Sequence, residues 1–428
     1  MRNWKRLGFS VVGFLVVVVF LVLLVFFKEA NQNLKADGEF SKVSVPEMRI
    51  ALNGVSLDEI KDGSKNVKYL GNRMTLDGLS FDDVEVKGRG NATWWHDKRP
   101  YQIKLAEKAD LLGLGKRRKW ILLSNYIDQS NLRTDMAFYI EKMLGEKFAY
   151  RGEFVELYVN DEYEGLYYLT RGIEVGKNAV DLKDSLGVLV ELDDAYGEQE
   201  EKFFVSGNGE RLTAKDAVAD DNIDAAMANF MESFNALEEA VRKKEYDEIT
   251  EIVDIESFAK YYVLEEFIVN WDAYFTSQYF YKDGPDDKIH AGPAWDFDIA
   301  LDVWGSVDPK YNYTKTLEPK DVAEQYGNRS GLFARLLEIP RFRMEVEMVF
   351  DEYMSGRKKE LMNYAFKRAA KIYQAAKRNN EKWKMENYAR EVKRLFSWIE
   401  RRYDYFENEY SEKKYKNYPF YDRIVVDI

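Results

Sequence analysis

The feature that most constrains this chain is an uncharged, strongly apolar run over residues 7–27. As a helix, that run would extend about 31 Å, which matches the hydrocarbon thickness of a bilayer. It is longer than the apolar core of a typical cleaved signal peptide, and the residues around Phe26 offer no small-x-small cleavage site. The run therefore predicts an uncleaved transmembrane anchor within residues 1–27, with a cleaved signal peptide as the alternative.

Three basic residues precede the apolar run: Arg2, Lys5 and Arg6. By the positive-inside rule they keep the N-terminus in the cytoplasm, so the remainder of the chain is expected outside it. Residues 28–45 are polar and include Asn, Gln, Ser and Gly, a composition typical of a linker. The prediction is a single-pass membrane protein with an extracytoplasmic domain, which contacts the membrane through its N-terminal helix.

Composition narrows the classes of function. The chain has 428 residues and a formal net charge of −12, so no broad basic surface for nucleic acid is expected. It contains no cysteine and only two histidines, His96 and His290, which excludes thiolate zinc sites and leaves little room for a histidine cluster. Any metal site would be built from oxygen ligands, which suit Mg²⁺ or Mn²⁺.

Two periodicities divide the soluble part. Before residue 222, short alternating segments bounded by Gly, Asn and Asp predict a mostly antiparallel sheet, with one helix near residues 129–145. Later, apolar residues recur at spacings of three and four and predict helices. The fold class expected is therefore α+β. The predicted strands lie near residues 48–52, 84–88, 99–105, 154–159, 165–169 and 187–192. The predicted helices lie near residues 223–244, 255–269 and 392–406. The predicted core aromatics include Trp94, Trp95 and Trp120.

Acidic residues with an informative order occur between residues 270 and 298. Asp272 follows a helical pattern, a tyrosine-rich strand-like segment comes next, and Asp296 and Asp298 flank a phenylalanine. This is also the order of a kinase catalytic loop and its metal-binding Asp-Phe-x element. Phosphoryl transfer uses one carboxylate to orient the hydroxyl nucleophile and another to hold the metal on the phosphates. The Asp-Phe-Asp triplet alone is a weak signal, since any acidic turn after a strand could contain it.

Longer sequence motifs resemble the CotH (spore coat protein H) kinase family. They are KGRGNATWW, KRPYQIKL, LLGLGKRRKWILLSNYID, LRTDMAFYI, VELYVNDEYEGLYYLT, GVLVELDD, NWDAY and AGPAWDFD, in the family's order across roughly residues 46–305. The resemblance implies an atypical protein-kinase-like, two-lobed domain over residues 46–330, with residues 331–428 as its helical C-terminal extension and tail. It also implies a transferase that uses ATP with Mg²⁺ or Mn²⁺ to phosphorylate Ser or Thr of cell-surface or coat proteins.

The same resemblance suggests roles for individual acids. Asp272 is similar to the family's catalytic-loop acid, and Asp296 to the metal-binding acid. Asp298 is a candidate for a second metal contact or for support of the first.

The nucleotide contacts are less specific. Lys104 is placed where a strand lysine would reach phosphates, and it also fits an exposed strand lysine. Glu191 would be its acidic partner or part of a structural salt bridge, because an unpaired charge in mid-strand is costly. Arg89 and Asn91 follow a strand in a glycine-containing loop, which suits phosphate binding or a plain hairpin turn.

Three positions depart from the family pattern. Ser277 stands where kinases place a second metal-binding asparagine, and Arg171 and Ala179 replace the family's usual glutamate and arginine. These changes favour the alternative of a catalytically weak pseudokinase that acts as a cell-surface or coat assembly scaffold.

Overall fold

A closed barrel of seven strands forms the first part of the structure. The computed structural model describes residues 45–193, 202–270, 272–273, 276–303 and 331–410. Around the barrel the strands follow the order first, second, third, fourth, fifth, seventh, sixth. Neighbours are antiparallel except the first and sixth strands, which pair in parallel and complete the ring. The strands are β1 (Glu47–Ala51), β2 (Tyr69–Leu76), β3 (Leu79–Gly88), β4 (Tyr101–Asp110), β5 (Lys116–Leu123), β6 (Gly152–Val159) and β7 (Glu162–Arg171).

The barrel core follows from the period-two pattern of its strands. In β4, Tyr101, Ile103 and Leu105 point inward and are buried. Trp120 of β5 is fully buried beside them, as predicted. Trp94 closes one end of the barrel and is also buried, as predicted.

The prediction for Trp95 is wrong. Its side chain is 81% exposed. The four-residue 3-10 helix Ala92–Trp95 turns Trp94 inward, so the adjacent side chain leaves the core.

A second sheet has five antiparallel strands. They are β8 (Gly187–Leu192), β9 (Phe203–Val205), β10 (Arg211–Ala217), β11 (Gln278–Asp283) and β12 (His290–Ala291), in the order β12-β11-β8-β10-β9. The pairing of β11 with β8 places Tyr279 opposite Glu191. It therefore joins the segment that follows Asp272 to a strand far earlier in the chain.

Helices dominate the later part of the chain. Helix α5 is buried along nearly its whole length, including its charged residues Lys260, Glu265 and Glu266. The described helices are α1 (Leu57–Asp62), α2 (Arg133–Met143), α3 (Ile223–Lys243), α4 (Tyr246–Ile252), α5 (Ile255–Ile268), α6 (Gly331–Leu337), α7 (Pro340–Tyr353), α8 (Lys358–Lys382) and α9 (Tyr388–Tyr410).

Helix α8 fastens α2 through a buried ion pair. Arg368 of α8 donates from Nε to Asp135 of α2 at 2.7 Å and from Nη2 at 2.9 Å. Its Nη1 also donates to Glu153 of β6 at 3.0 Å. The hydroxyls of Tyr168 and Tyr364 donate to the same Asp135 carboxylate. Helix, barrel and C-terminal segment are therefore joined at one buried point.

The α+β class is confirmed, with a sheet-rich N-terminal part and a helical C-terminal part. The predicted strands and helices are present within a few residues of their expected bounds. In the part of the chain that the structure describes, no helix is long and apolar enough to cross a bilayer. The predicted anchor segment, residues 1–27, and all of the predicted linker over residues 28–45 except Val45 lie outside the described residues.

Candidate acidic active site

The site forms where the backbone turns sharply after α5. Val269 ends the helix with φ of 48°, a left-handed conformation that is rare for a β-branched residue. The next side chain, Asn270, is buried and bonds in two directions. Its Nδ2 donates to the carbonyl of Asp296 at 3.3 Å, and its Oδ1 accepts from the backbone N–H of Asp272 at 3.3 Å. Asn270 thus holds together two of the acids that the sequence predicted.

Burial shifts the pKa of both Asp272 and Asp296. Burial, followed by the nearby charge of Asp296, raises the pKa of Asp272 to about 7. Burial also raises the pKa of Asp296, an effect that the positive charge of Arg89 and a hydrogen bond from Ser277 oppose. Titratable groups whose pKa values are shifted in this way are typical of functional sites.

Asp298 adds a third acid. The pKa of Asp298 is raised well above its usual value by burial first, and then by the charges of Asp296, Asp272 and Asp128. Asp128 itself is buried in an ion pair with Arg133 at the start of α2. The charges of Asp272 and Asp296 therefore both act on Asp298.

Such a cluster fits a divalent cation held by oxygen ligands. Asp296 and Asp298 could each supply carboxylate oxygens, the donors that Mg²⁺ and Mn²⁺ prefer. Within the described ranges, no three acidic or histidine side chains are arranged to hold a metal by themselves. The remaining ligands would have to be water or substrate phosphates, as is usual for Mg²⁺.

The backbone of the site is strained in several places. Ser277, Asp296, Leu301 and Asp302 all have left-handed φ values, of 53°, 68°, 52° and 56°. Residues held in sparsely populated conformations cost about 1–3 kcal/mol each and cluster at active sites. These four left-handed residues indicate that the surrounding structure holds the segment in place.

Two arginines and a helix end supply that restraint. The N–H of Leu301 donates to the carbonyl of Ile268 at 2.7 Å, and Arg133 donates from Nε to the carbonyl of Leu301 at 3.1 Å. Arg394 of α9 donates to the carbonyls of Asp302 and Val303 at 3.1 and 2.9 Å. The segment that follows the acids is therefore fixed to α2, α5 and α9.

Arg89 brings a positive charge to the acids from the barrel. Its guanidinium lies over the Trp295 ring at 5.2 Å from the centroid, and the charges of Tyr279, Asp296 and Glu191 act on it. No hydrogen bond joins this guanidinium to the residues that the structure describes. The guanidinium therefore lies near the acids with hydrogen-bonding capacity for a further anionic group.

Lys104 lies on the outer face of the barrel. Its predicted partnership with Glu191 is wrong. Cross-strand pairing sets Lys104 between Glu85 of β3 and Lys119 of β5. Glu191 instead binds Lys215 at 2.7 Å and accepts from the Tyr279 hydroxyl at 3.0 Å. The partner of Glu191 is different because β10 lies beside β8 and brings Lys215 close to it. The Glu191–Lys215 ion pair is the structural salt bridge that the sequence left open as an alternative.

Asn91 and Ser277 also have protein contacts. Asn91 accepts from Lys65 Nζ at 2.5 Å, which fixes the loop at the end of the barrel. Ser277 Oγ donates weakly to Asp296 Oδ2 at 3.5 Å. Ser277 therefore lies at the acid cluster, whereas Asn91 is exposed at the loop.

The sequence reasoning missed Asp193 beside the acids and two lysines near Lys104. Asp193 accepts from the Thr276 hydroxyl at 2.9 Å, and its charge contributes to the raised pKa of Asp296. Lys87 and Lys119 share the outer barrel face with Lys104. The alternation of β3 and β5 could have placed these lysines on one face, but the register between the strands could not be read from the sequence.

Residues 85–406 match the protein family described as CotH kinase protein. A search among curated proteins found no match.

Proposed function

The chain belongs to the CotH kinase protein family, and from that premise we propose that it transfers the γ-phosphoryl group of ATP to serine or threonine hydroxyls of proteins. The observation that carries this proposal is that buried Asn270 bonds the backbones of both Asp272 and Asp296, with Asp298 two residues further along the chain and the charge of Arg89 acting on Asp296. An acid for the nucleophile, acids for a metal and a cation for phosphate are the groups that phosphoryl transfer requires.

Each side chain would have a separate task. The substrate hydroxyl attacks the γ-phosphorus, the bond to the β,γ-bridging oxygen breaks and ADP leaves, while Asp272 orients the hydroxyl and accepts its proton. Asp296 and Asp298 would hold Mg²⁺ or Mn²⁺, which neutralises charge on the phosphates. Arg89 would donate hydrogen bonds to phosphate oxygens while the phosphoryl group moves from ADP to the substrate hydroxyl.

The proposed setting is the outer face of a membrane. The apolar run over residues 7–27 and its basic flank favour a single anchor with the domain outside the cytoplasm. The proposed substrates are therefore proteins of the cell surface or coat.

Two substitutions test the proposal because one should impair ATP binding and the other only phosphoryl transfer. In Asp296→Asn, Mg²⁺-dependent ATP binding and transfer should both be lost, since a metal-binding charge is removed. In Asp272→Asn, ATP affinity should be nearly unchanged while turnover falls by about a hundredfold or more. The measurements are ATP titration with and without Mg²⁺, and transfer of labelled phosphate to serine-rich acceptors. Asp82→Asn is the matched control, because Asp82 is an exposed residue of β3 whose side chain is 81% accessible.

The results separate the enzyme from a second candidate. Wild-type protein that binds no ATP with either metal would refute the kinase proposal. Binding without transfer above the Asp272→Asn background would favour a pseudokinase scaffold. That alternative is supported by Ser277 at the second metal position and by Arg171, which bonds the carbonyls of Asn178 and Ala149 instead of facing the acids.

A further inference from the structure

The turn that follows Asp298 contains two consecutive residues in the left-handed conformation. Leu301 and Asp302 have φ values of 52° and 56°, and neither is a glycine. One such residue is uncommon, and two in succession are costly unless neighbouring groups hold them. Asp298 lies only three residues before Leu301, so relaxation of this pair would change the path of the backbone at Asp298.

Two arginines from distant parts of the chain bind the carbonyls of this turn. Arg133 of α2 donates from Nε to the carbonyl of Leu301 at 3.1 Å and from Nη2 to that of Asp302 at 3.4 Å. Arg394 of α9 donates from Nη1 to the carbonyl of Asp302 at 3.1 Å and from Nη2 to that of Val303 at 2.9 Å. The Asp302 carbonyl therefore accepts from both guanidinium groups, and Arg133 and Arg394 together form an arginine clamp on the turn.

A carboxylate orients each arginine of the clamp. Asp128 forms an ion pair with Arg133 and also accepts from its backbone N–H at 2.7 Å. Glu391, one turn earlier on α9, accepts from Nε and Nη2 of Arg394 at 3.2 and 2.8 Å. Because both guanidinium groups are already oriented, they lose little further side-chain freedom when they bind the carbonyls. Arg133 is 1% exposed, whereas the side chain of Arg394 is 32% exposed, so Arg394 is the member to replace with less risk to folding.

The backbone around Asp298 is held on both sides. On the N-terminal side, the ring of Phe297 packs edge-on against Phe138 of α2, with ring centroids 5.5 Å apart. Glu141, also of α2, accepts a hydrogen bond from the N–H of Ala294 at 2.8 Å. On the C-terminal side lies the left-handed turn that the clamp holds. The position of the Asp298 carboxyl therefore depends on the clamp as well as on packing against α2.

We propose that Arg394 is a positioning residue, which together with Arg133 holds the left-handed turn and thereby sets where the Asp298 carboxyl meets a metal ion. The consequence for the metal rests on the proposed function, whereas the holding of the turn can be tested without metal or nucleotide. Arg394 acts through the backbone of residues 302–303, so helix α9 of the C-terminal part becomes a support of the site. Groups that orient metal ligands in this way commonly change metal affinity by about 10–100-fold when they are replaced.

Hydrogen exchange measured by mass spectrometry tests the turn in the full-length protein without nucleotide. In Arg394→Gln, the amides of residues 298–303 should exchange about tenfold faster or more, because hydrogen bonds from a charged donor are lost. Arg390→Gln is the matched control, since Arg390 lies one turn earlier on α9, is 63% exposed and pairs with Glu386. Its exchange should equal that of wild type. Unchanged exchange over residues 298–303 in Arg394→Gln would overturn the clamp.

A second variant covers the case in which Arg394→Gln does not fold. Arg394→Lys keeps the positive charge but lacks the planar fork that binds two carbonyls at once. Its exchange over residues 298–303 should lie between those of wild type and Arg394→Gln, or simply above wild type where the glutamine variant is unfolded. Exchange equal to wild type in Arg394→Lys would then overturn the two-carbonyl contact.

The Mg²⁺ dependence of ATP binding separates positioning from simple support of the fold. The Mg²⁺ concentration that gives half-maximal ATP binding should rise about tenfold or more in Arg394→Gln, less in Arg394→Lys and not at all in Arg390→Gln. Faster exchange with an unchanged Mg²⁺ dependence would refute the positioning of Asp298 and leave the clamp a structural contact. If wild type binds no ATP with either metal, the kinase proposal fails, and the exchange rates alone confirm or overturn the holding of the turn by Arg394.

Discussion

Replacing Arg368 with alanine should destabilise the domain far more than an ordinary surface substitution. The side chain is 10% exposed and its partner Asp135 only 1%, so the substitution leaves a buried carboxylate without its cation. Breaking a buried ion pair from one side costs about 3–5 kcal/mol. Because the hydroxyls of Tyr168 and Tyr364 still donate to Asp135, we expect the lower end, about 3 kcal/mol.

Urea unfolding followed by tryptophan fluorescence measures this cost. Arg390→Ala is the matched control, since Arg390 of α9 pairs with Glu386, which precedes the helix, with side chains 63% and 52% exposed. Exposed ion pairs of this kind contribute about 0.2–1 kcal/mol. Equal losses for the two variants would refute the argument that the Arg368–Asp135 contact is what fastens α8 to α2.

Two further predictions concern the site and the anchor. Arg89→Gln should weaken Mg²⁺-dependent ATP binding about tenfold or more, because charged hydrogen bonds to phosphate are lost; titration calorimetry measures this, and the exposed β2 variant Arg73→Gln is the control. An unchanged affinity would remove Arg89 from the phosphate site. Protease added to intact cells or spheroplasts should digest the domain if it is extracytoplasmic, and protection until the membrane is permeabilised would contradict that orientation.

The sequence predicted individual strands and helices well because their signals are local. The alternation in β4 and the apolar spacing in α9 each lie within one segment. Barrel closure and the pairing of β11 with β8 depend on contacts between distant segments, which no local pattern specifies. The sequence therefore predicted the α+β class but not the arrangement of the two sheets.

The same distinction applies to the site. The spacing and sequence context of Asp272, Asp296 and Asp298 predicted these acids as a site, and the charge of Asp296 contributes to the raised pKa of both Asp272 and Asp298. Their supports could not be found in this way, because Asn270 at the end of α5 and Glu141 of α2 come from different elements that meet only after folding. The Lys104–Glu191 partnership was wrong for a related reason, since β10 was not predicted beside β8.

The parallel pairing of β1 with β6 also constrains how the domain can form. Met48 finds its partner Leu157 only after roughly a hundred further residues have been synthesised, and contacts of such long sequence separation slow folding. The second sheet waits longer still, because β8 lacks its neighbour β11 until Tyr279 has emerged. A chain growing from its N-terminus can therefore close the barrel only after Arg171 and complete the second sheet only after Ala291, and division near residue 193 would separate β8 from β10 and β11.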